Sequence, residues 1–133
     1  HQKKWFDSAQ ESDGTLRVAG IITALLQEPP LTLIGVEEPE LTVHPGALPM
    51  IYDFLVQASK RSQVVITTHS PEMLDLVDAD DVLVVRRRDG ATSVGPMEDD
   101  QQDAVRRQLM SLGELQRTEG LRQLELDLSE NRP

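Results

Sequence analysis

Apolar positions set two rhythms along the chain. Leu16, Val18, Ala19, Ile21, Ile22, Ala24, Leu25 and Leu26 fall on nearly every side of a helical wheel, the mark of a helix enclosed by its neighbours. Ser12-Asp13-Gly14-Thr15 supplies its start, since Ser12 or Asp13 can cap and Gly14 permits close backbone approach. Pro29-Pro30 stops it. Leu31-Thr32-Leu33-Ile34-Gly35-Val36 is too short for a helix and suits a central parallel strand running into Glu37-Glu38-Pro39-Glu40. After His44-Pro45-Gly46 a helix is predicted over 48–59, with Ile51, Phe54, Leu55 and Ala58 on one face. Gln63-Val64-Val65-Ile66-Thr67 is a second strand, and Pro71 suits the first turn of the short helix that follows Thr68-His69-Ser70. Asp81-Val82-Leu83-Val84-Val85 is a third strand, Arg88-Asp89-Gly90 a turn and Thr92-Ser93-Val94 the return strand of a hairpin. From Asp100 the composition is helical, through Ala104, Val105, Leu109, Met110, Leu112 and Leu115, and the last dozen residues are expected to be loosely ordered.

Strand, helix, strand, helix, strand is the grammar of an α/β fold with a doubly wound parallel sheet. Sites in such sheets form outside the carboxyl ends of the strands. Here two successive strands end in Glu37-Glu38 and, two residues past Thr67, in His69.

Composition narrows the class. The chain has 133 residues, 38% of them apolar, enough for one compact domain of modest core. No apolar run approaches the roughly 18 residues of a membrane span, there is no signal pattern, and a cytoplasmic location is expected. With no cysteine, neither a disulfide nor a thiolate metal site exists. A formal net charge of −10 argues against a general nucleic-acid surface on this segment. The basic run Arg86-Arg87-Arg88 reads as a solvated strand end, with a DNA contact as the alternative.

Three features carry chemistry. Adjacent carboxylates at a strand end point in different directions, so one of Glu37 and Glu38 can hold Mg²⁺ while the other polarises a water; the plain alternative is an exposed acidic turn. A neutral imidazole at His69 can donate a hydrogen bond to a developing phosphoryl charge, or serve as an ordinary loop histidine. Ser12, Gly14 and Thr15 open a helix whose N-terminus can receive an anion, or form a simple cap.

Order and spacing link these features. Ser12 precedes Glu37 by 25 positions, and Glu38 precedes His69 by 31. Ser-Asp-Gly-Thr-Leu-Arg resembles the signature motif of ABC-type ATPase heads of the RecF, SMC and OLD branch. Leu-Ile-Gly-Val-Glu-Glu-Pro-Glu resembles their Walker B motif, Leu-Thr-Val-His-Pro their D-loop and Val-Val-Ile-Thr-Thr-His-Ser their switch-histidine loop. The likeness covers roughly residues 10 to 86. It implies the C-terminal lobe of a P-loop NTPase-like head, spanning 1–133, with a parallel sheet, flanking helices, a β-hairpin and a helical extension over 100–133. It implies ATP and Mg²⁺, with Glu37 at the metal, Glu38 as the catalytic glutamate and His69 at the γ-phosphate. Ser12, Gly14 and Thr15 would bind the nucleotide of a second head in a homodimer, and His44 would be structural or interfacial. Glu37 departs from the more common Asp, a substitution frequent in the OLD-like branch.

A phosphate-binding loop needs Gly-x-x-x-x-Gly-Lys followed by Ser or Thr. The three lysines, Lys3, Lys4 and Lys60, follow no glycine. An N-terminal P-loop lobe is therefore expected as a partner, with no hydrolysis by this segment alone. DNA would be contacted, if at all, through other regions. Without that lobe, a sheet edge and an apolar helix face should be exposed, and the segment should associate or be marginally stable. The alternative is a degenerate fold that binds a partner and hydrolyses nothing; a third reading, an OLD-type nuclease, requires a further metal-binding domain.

Overall fold

The computed structural model describes residues 11–124. The chain divides into two compact units, His1–Leu76 and Val77–Pro133.

The first unit is built on two strands and two long helices. Helix α1 (Asp13–Leu26) starts where the sequence places it, with Ser12 in extended conformation as its N-cap. Strand β1 (Leu33–Glu37) follows, and then a 3-10 turn (Pro45–Ala47) leads into α2 (Leu48–Ser59). Strand β2 (Gln63–Thr67) and a single-turn helix α3 (Pro71–Leu74), capped by Ser70, complete it. β1 and β2 pair parallel, with Ile34 opposite Val64, Val36 opposite Ile66 and Glu37 opposite Thr67. The core joins Leu25 of α1, Ile34 of β1, Leu48, Ile51, Leu55 and Ala58 of α2, and Met73 of α3. Phe54, expected on the same face of α2, is only half-buried at its margin. Arg61 ties the corner, donating to the Leu25 carbonyl at 3.0 Å and pairing with Glu28; a terminal carbonyl of α1 is thereby satisfied.

Two expectations change. α1 is not enclosed: only Leu25 is buried, and Leu16 and Leu26 are exposed. A wheel apolar all round needs cover on every side, and among the described residues α1 has β1 and α2 against one face. Nor is the parallel sheet three-stranded among the described residues, for β1 pairs with β2 alone. Among the described residues its strands are covered on one face only; Leu33 and Val65 lie open on the other.

The expected third strand belongs to the second unit. β3 (Leu83–Arg88) pairs antiparallel with β4 (Ala91–Pro96), from Leu83 opposite Pro96 to Arg88 opposite Ala91. Asp89 and Gly90 both have positive φ, 51° and 82°, which is the two-residue hairpin turn whose twist matches its strands. Helices α4 (Asp99–Arg106) and α5 (Leu112–Thr118) follow. Val84, Met97, Leu112 and Leu115 are buried here, as is Gln101. Gln101 is satisfied at both ends, donating to the Gly120 carbonyl at 3.0 Å and accepting the Arg122 amide at 2.8 Å. Arg122 meets Glu98, Asp100 and Glu119. Its hydrogen bond to Glu98 and the neighbouring carboxylates hold the guanidinium protonated beyond the ordinary arginine range. A proton bound more tightly in the folded state adds stability at every pH below that range and loses it only in strong alkali. The last residues, expected to be loosely ordered, lie from 125 onward outside the described residues.

Candidate functional site

The parallel register brings the two strand tips side by side. Glu37 is opposite Thr67, and the Glu38 amide extends the ladder one step further, donating to the Thr67 carbonyl at 2.8 Å. The acid pair and the His69 loop therefore leave the sheet at the same end, as parallel strands require. Glu37 is exposed, Glu38 half-buried and His69 exposed.

Past β1 the chain turns sharply. Glu38 has φ 42° and Thr42 φ 63°, a region that costs a non-glycine residue about 1–3 kcal/mol and concentrates at functional sites. Backbone bonds from Leu41 to the Glu38 carbonyl (3.0 Å) and from Val43 to the Glu40 carbonyl (3.1 Å) stabilise the turn. Arg17 of α1 adds a clamp, donating one guanidinium nitrogen to the carbonyls of Glu37 (2.6 Å) and Glu38 (2.9 Å). Both acid carbonyls are thus occupied by a cation. The side-chain carboxylates of Glu37 and Glu38 and the His69 ring make no hydrogen bond or ion pair among the described residues.

That donor set can be tested against Mg²⁺. Among the described residues no cluster of three His, Asp or Glu side chains would hold a metal by itself. Mg²⁺ usually takes one or two carboxylates, its own waters and phosphate oxygens. The exposed Glu37 carboxylate, free of other partners among the described residues, fits such a shared ion and not a closed cage.

Ser12, Gly14 and Thr15 sit at the start of α1, and each has local work. The Ser12 hydroxyl accepts the Thr15 amide at 3.1 Å and shares a hydrogen bond with the Thr15 hydroxyl at 2.8 Å. A Cβ on Gly14 would stand 2.2 Å from the Thr42 carbonyl oxygen, so close backbone packing alone requires the glycine. This packing joins the helix start to the turn after the acid pair. Ser12 and Thr15 remain exposed. His44 caps the 3-10 turn, its Nδ1 accepting the Gly46 amide at 3.0 Å.

Beside the acids a cleft of about 570 Å³ runs along α1 and β1, lined by Gly20, Ile21, Ala24, Gly35 and Val36 with Arg17 at its acidic end. Sequence reasoning missed three contributors: Arg17, Glu40 and Thr68. Arg17 had left one trace, as the single basic residue of α1. The other two acquire a role only through the pairing of β1 with β2.

An α/β unit whose parallel strands end in an acid pair and an imidazole has the form of a nucleotide-hydrolysing domain. A family model described as "AAA domain, putative AbiEii toxin, Type IV TA system" matches residues 1–75, more than half of the chain. The chain belongs to that family, at the level of an AAA-type ATPase domain. The match ends one residue before the boundary of the first unit. No curated protein matches the chain. Among the described residues no helix is long and apolar enough to cross a membrane.

Proposed function

We propose that this chain is the Walker B and switch-histidine portion of an ATP-hydrolysing head of the RecF/OLD-like ABC kind, completed by an N-terminal P-loop lobe. The observation that carries the reading is the in-register tip pairing, Glu37 opposite Thr67 with the Glu38 amide on the Thr67 carbonyl. It sets an acid pair and an imidazole at neighbouring strand ends, with their functional atoms unengaged among the described residues.

Mg²⁺, when bound, neutralises phosphate charge and aligns the transferred group; Glu37 would hold it, directly or through water. Glu38 orients the attacking water and accepts its proton. His69 donates a hydrogen bond to the γ-phosphate as charge develops there. Ser12, Gly14 and Thr15 serve the nucleotide of a second head, so that ATP closes a homodimer and hydrolysis opens it. A role in DNA repair, chromosome maintenance or phage defence is the corresponding setting, with any DNA contact made through other regions. The family description adds a toxin of a type IV toxin–antitoxin system as a further setting.

In the protein that joins this chain to its P-loop lobe, Glu38→Gln should abolish turnover while ATP binding stays within about twofold, because the neutral amide keeps size but not basicity. Steady-state hydrolysis and equilibrium nucleotide binding are the measurements. Undiminished turnover in that variant excludes the role of Glu38. A non-catalytic, partner-binding role would instead show as no hydrolysis by the wild-type protein.

A further inference from the structure

We infer that Glu40 is a positioning residue, which fixes the His69 loop to the acid turn through Thr68. The inference deepens the proposed function and rests on it for the consequence in hydrolysis; the linkage itself stands on geometry.

Beyond the Glu38–Thr67 backbone bond, the β1–β2 ladder ends among the described residues. One side-chain bond reconnects them among the described residues: Thr68 Oγ1 donates to Glu40 Oε1. Thr68 Oγ1 in turn accepts the Ser70 amide at 2.9 Å. Ser70 Oγ accepts the Met73 amide at 3.3 Å, seating the loop on α3. His69, exposed, is bracketed by two residues that are each anchored. Removal of the Glu40 acceptor frees the first anchor and with it the His69 backbone.

Neither neighbouring structure needs this carboxylate. The acid turn has its own backbone bonds, from Leu41 to Glu38 and from Val43 to Glu40. α3 has its own cap in Ser70. The Glu40 side chain therefore serves the connection and not either partner. Its position is set by Pro39, fully buried just before it. Its second oxygen, Oε2, is enclosed and has no hydrogen-bond partner among the described residues. An enclosed, half-satisfied carboxylate is unfavourable, and such exceptions point to a task the local fold does not explain.

The test uses Glu40→Ala, Glu40→Gln, Thr68→Val and the Glu40→Ala/Thr68→Val pair. In the 133-residue chain without nucleotide, the imidazole ¹H–¹⁵N resonances of His69 should shift and broaden in Glu40→Ala and Thr68→Val. They should stay in place in Glu40→Gln, whose amide oxygen still accepts from Thr68. His44, on its own turn, is the internal control, and unchanged amide spectra for residues 48–59 of α2 report that the first unit is folded. In the protein joined to its P-loop lobe, Glu40→Ala and Thr68→Val should each lower kcat on the order of ten- to a hundredfold, as expected for a misplaced catalytic group. The KM for ATP should hold, Glu40→Gln should retain wild-type rate, and the double variant should be no worse than either single one. Stationary His69 resonances in both Glu40→Ala and Thr68→Val overturn the inference, whether or not the protein hydrolyses ATP. Displaced His69 resonances in a protein whose wild type hydrolyses nothing sustain the linkage and overturn the functional reading.

Discussion

Glu38 shows what a single residue gains from its surroundings. Its φ of 42° is unfavourable for a side chain with a Cβ, and Arg17 compensates by binding the carbonyls on both sides of the bend. Arg17→Met keeps the apolar stem and removes two charge-assisted bonds. It should destabilise the first unit by about 1.5–3 kcal/mol, read from urea unfolding, and should lower hydrolysis in the joined protein because the acid turn relaxes. Gly14 has a different constraint. Gly14→Ala drives a methyl group into the Thr42 carbonyl, 2.2 Å from the ideal Cβ position, and should cost about 1–3 kcal/mol by overpacking. If ATP binding by the joined protein falls while the melting temperature is unchanged, the glycine acts on the ligand and not on the packing. The acid pair and His69 were legible as residues because strand ends in parallel sheets collect sites. Glu40 and Thr68 were not, since nothing in a linear sequence says that positions 28 apart share a hydrogen bond.

At the scale of the element, local rules worked where the environment was local. Ser12 caps α1, Ser70 caps α3, and the hairpin turns at Asp89-Gly90. α2 runs over Leu48–Ser59 and β2 over Gln63–Thr67, as periodicity predicts. Ile51 has no exposed surface and lies at the centre of the first core. Ile51→Ala should therefore destabilise by about 2–5 kcal/mol, measured by denaturant titration, whereas Val56→Ala, at an exposed site of the same helix, should stay within about 0.5 kcal/mol. Local rules failed for the enclosure of α1 and for the place of β3 in the parallel sheet. The α1 pattern describes cover that the described residues do not supply. β3 finds its partner two residues beyond its end, in β4, and nearby antiparallel pairing costs less loop entropy than a distant parallel one.

For the molecule as a whole, the features that matter are the two units and the open side of the first. Among the described residues β1 pairs only with β2, and Leu16, Leu26, Leu33 and Val65 are exposed in the same unit. Unpaired strand edges beside apolar surface favour association. The 133-residue chain should self-associate with rising concentration in light scattering, and addition of its P-loop lobe should suppress this. A monomer at every concentration would count against the missing-lobe reading. The second unit, with Arg122 among three carboxylates, should lose little stability between neutral and mildly alkaline pH, because the guanidinium keeps its proton throughout. High salt should weaken those exposed pairs, visible as a lower melting temperature.

The sequence by itself determined the helices, the strands, the caps and the residue types at the strand tips, because propensity, periodicity and turn chemistry act over a few neighbouring residues. Tertiary structure alone decided which tips adjoin, that Arg17 bends over the acid pair, that Thr68 reaches Glu40, and which face of the sheet stays open. Those outcomes depend on strand register and helix placement, and both are settled by contacts between residues far apart in the chain.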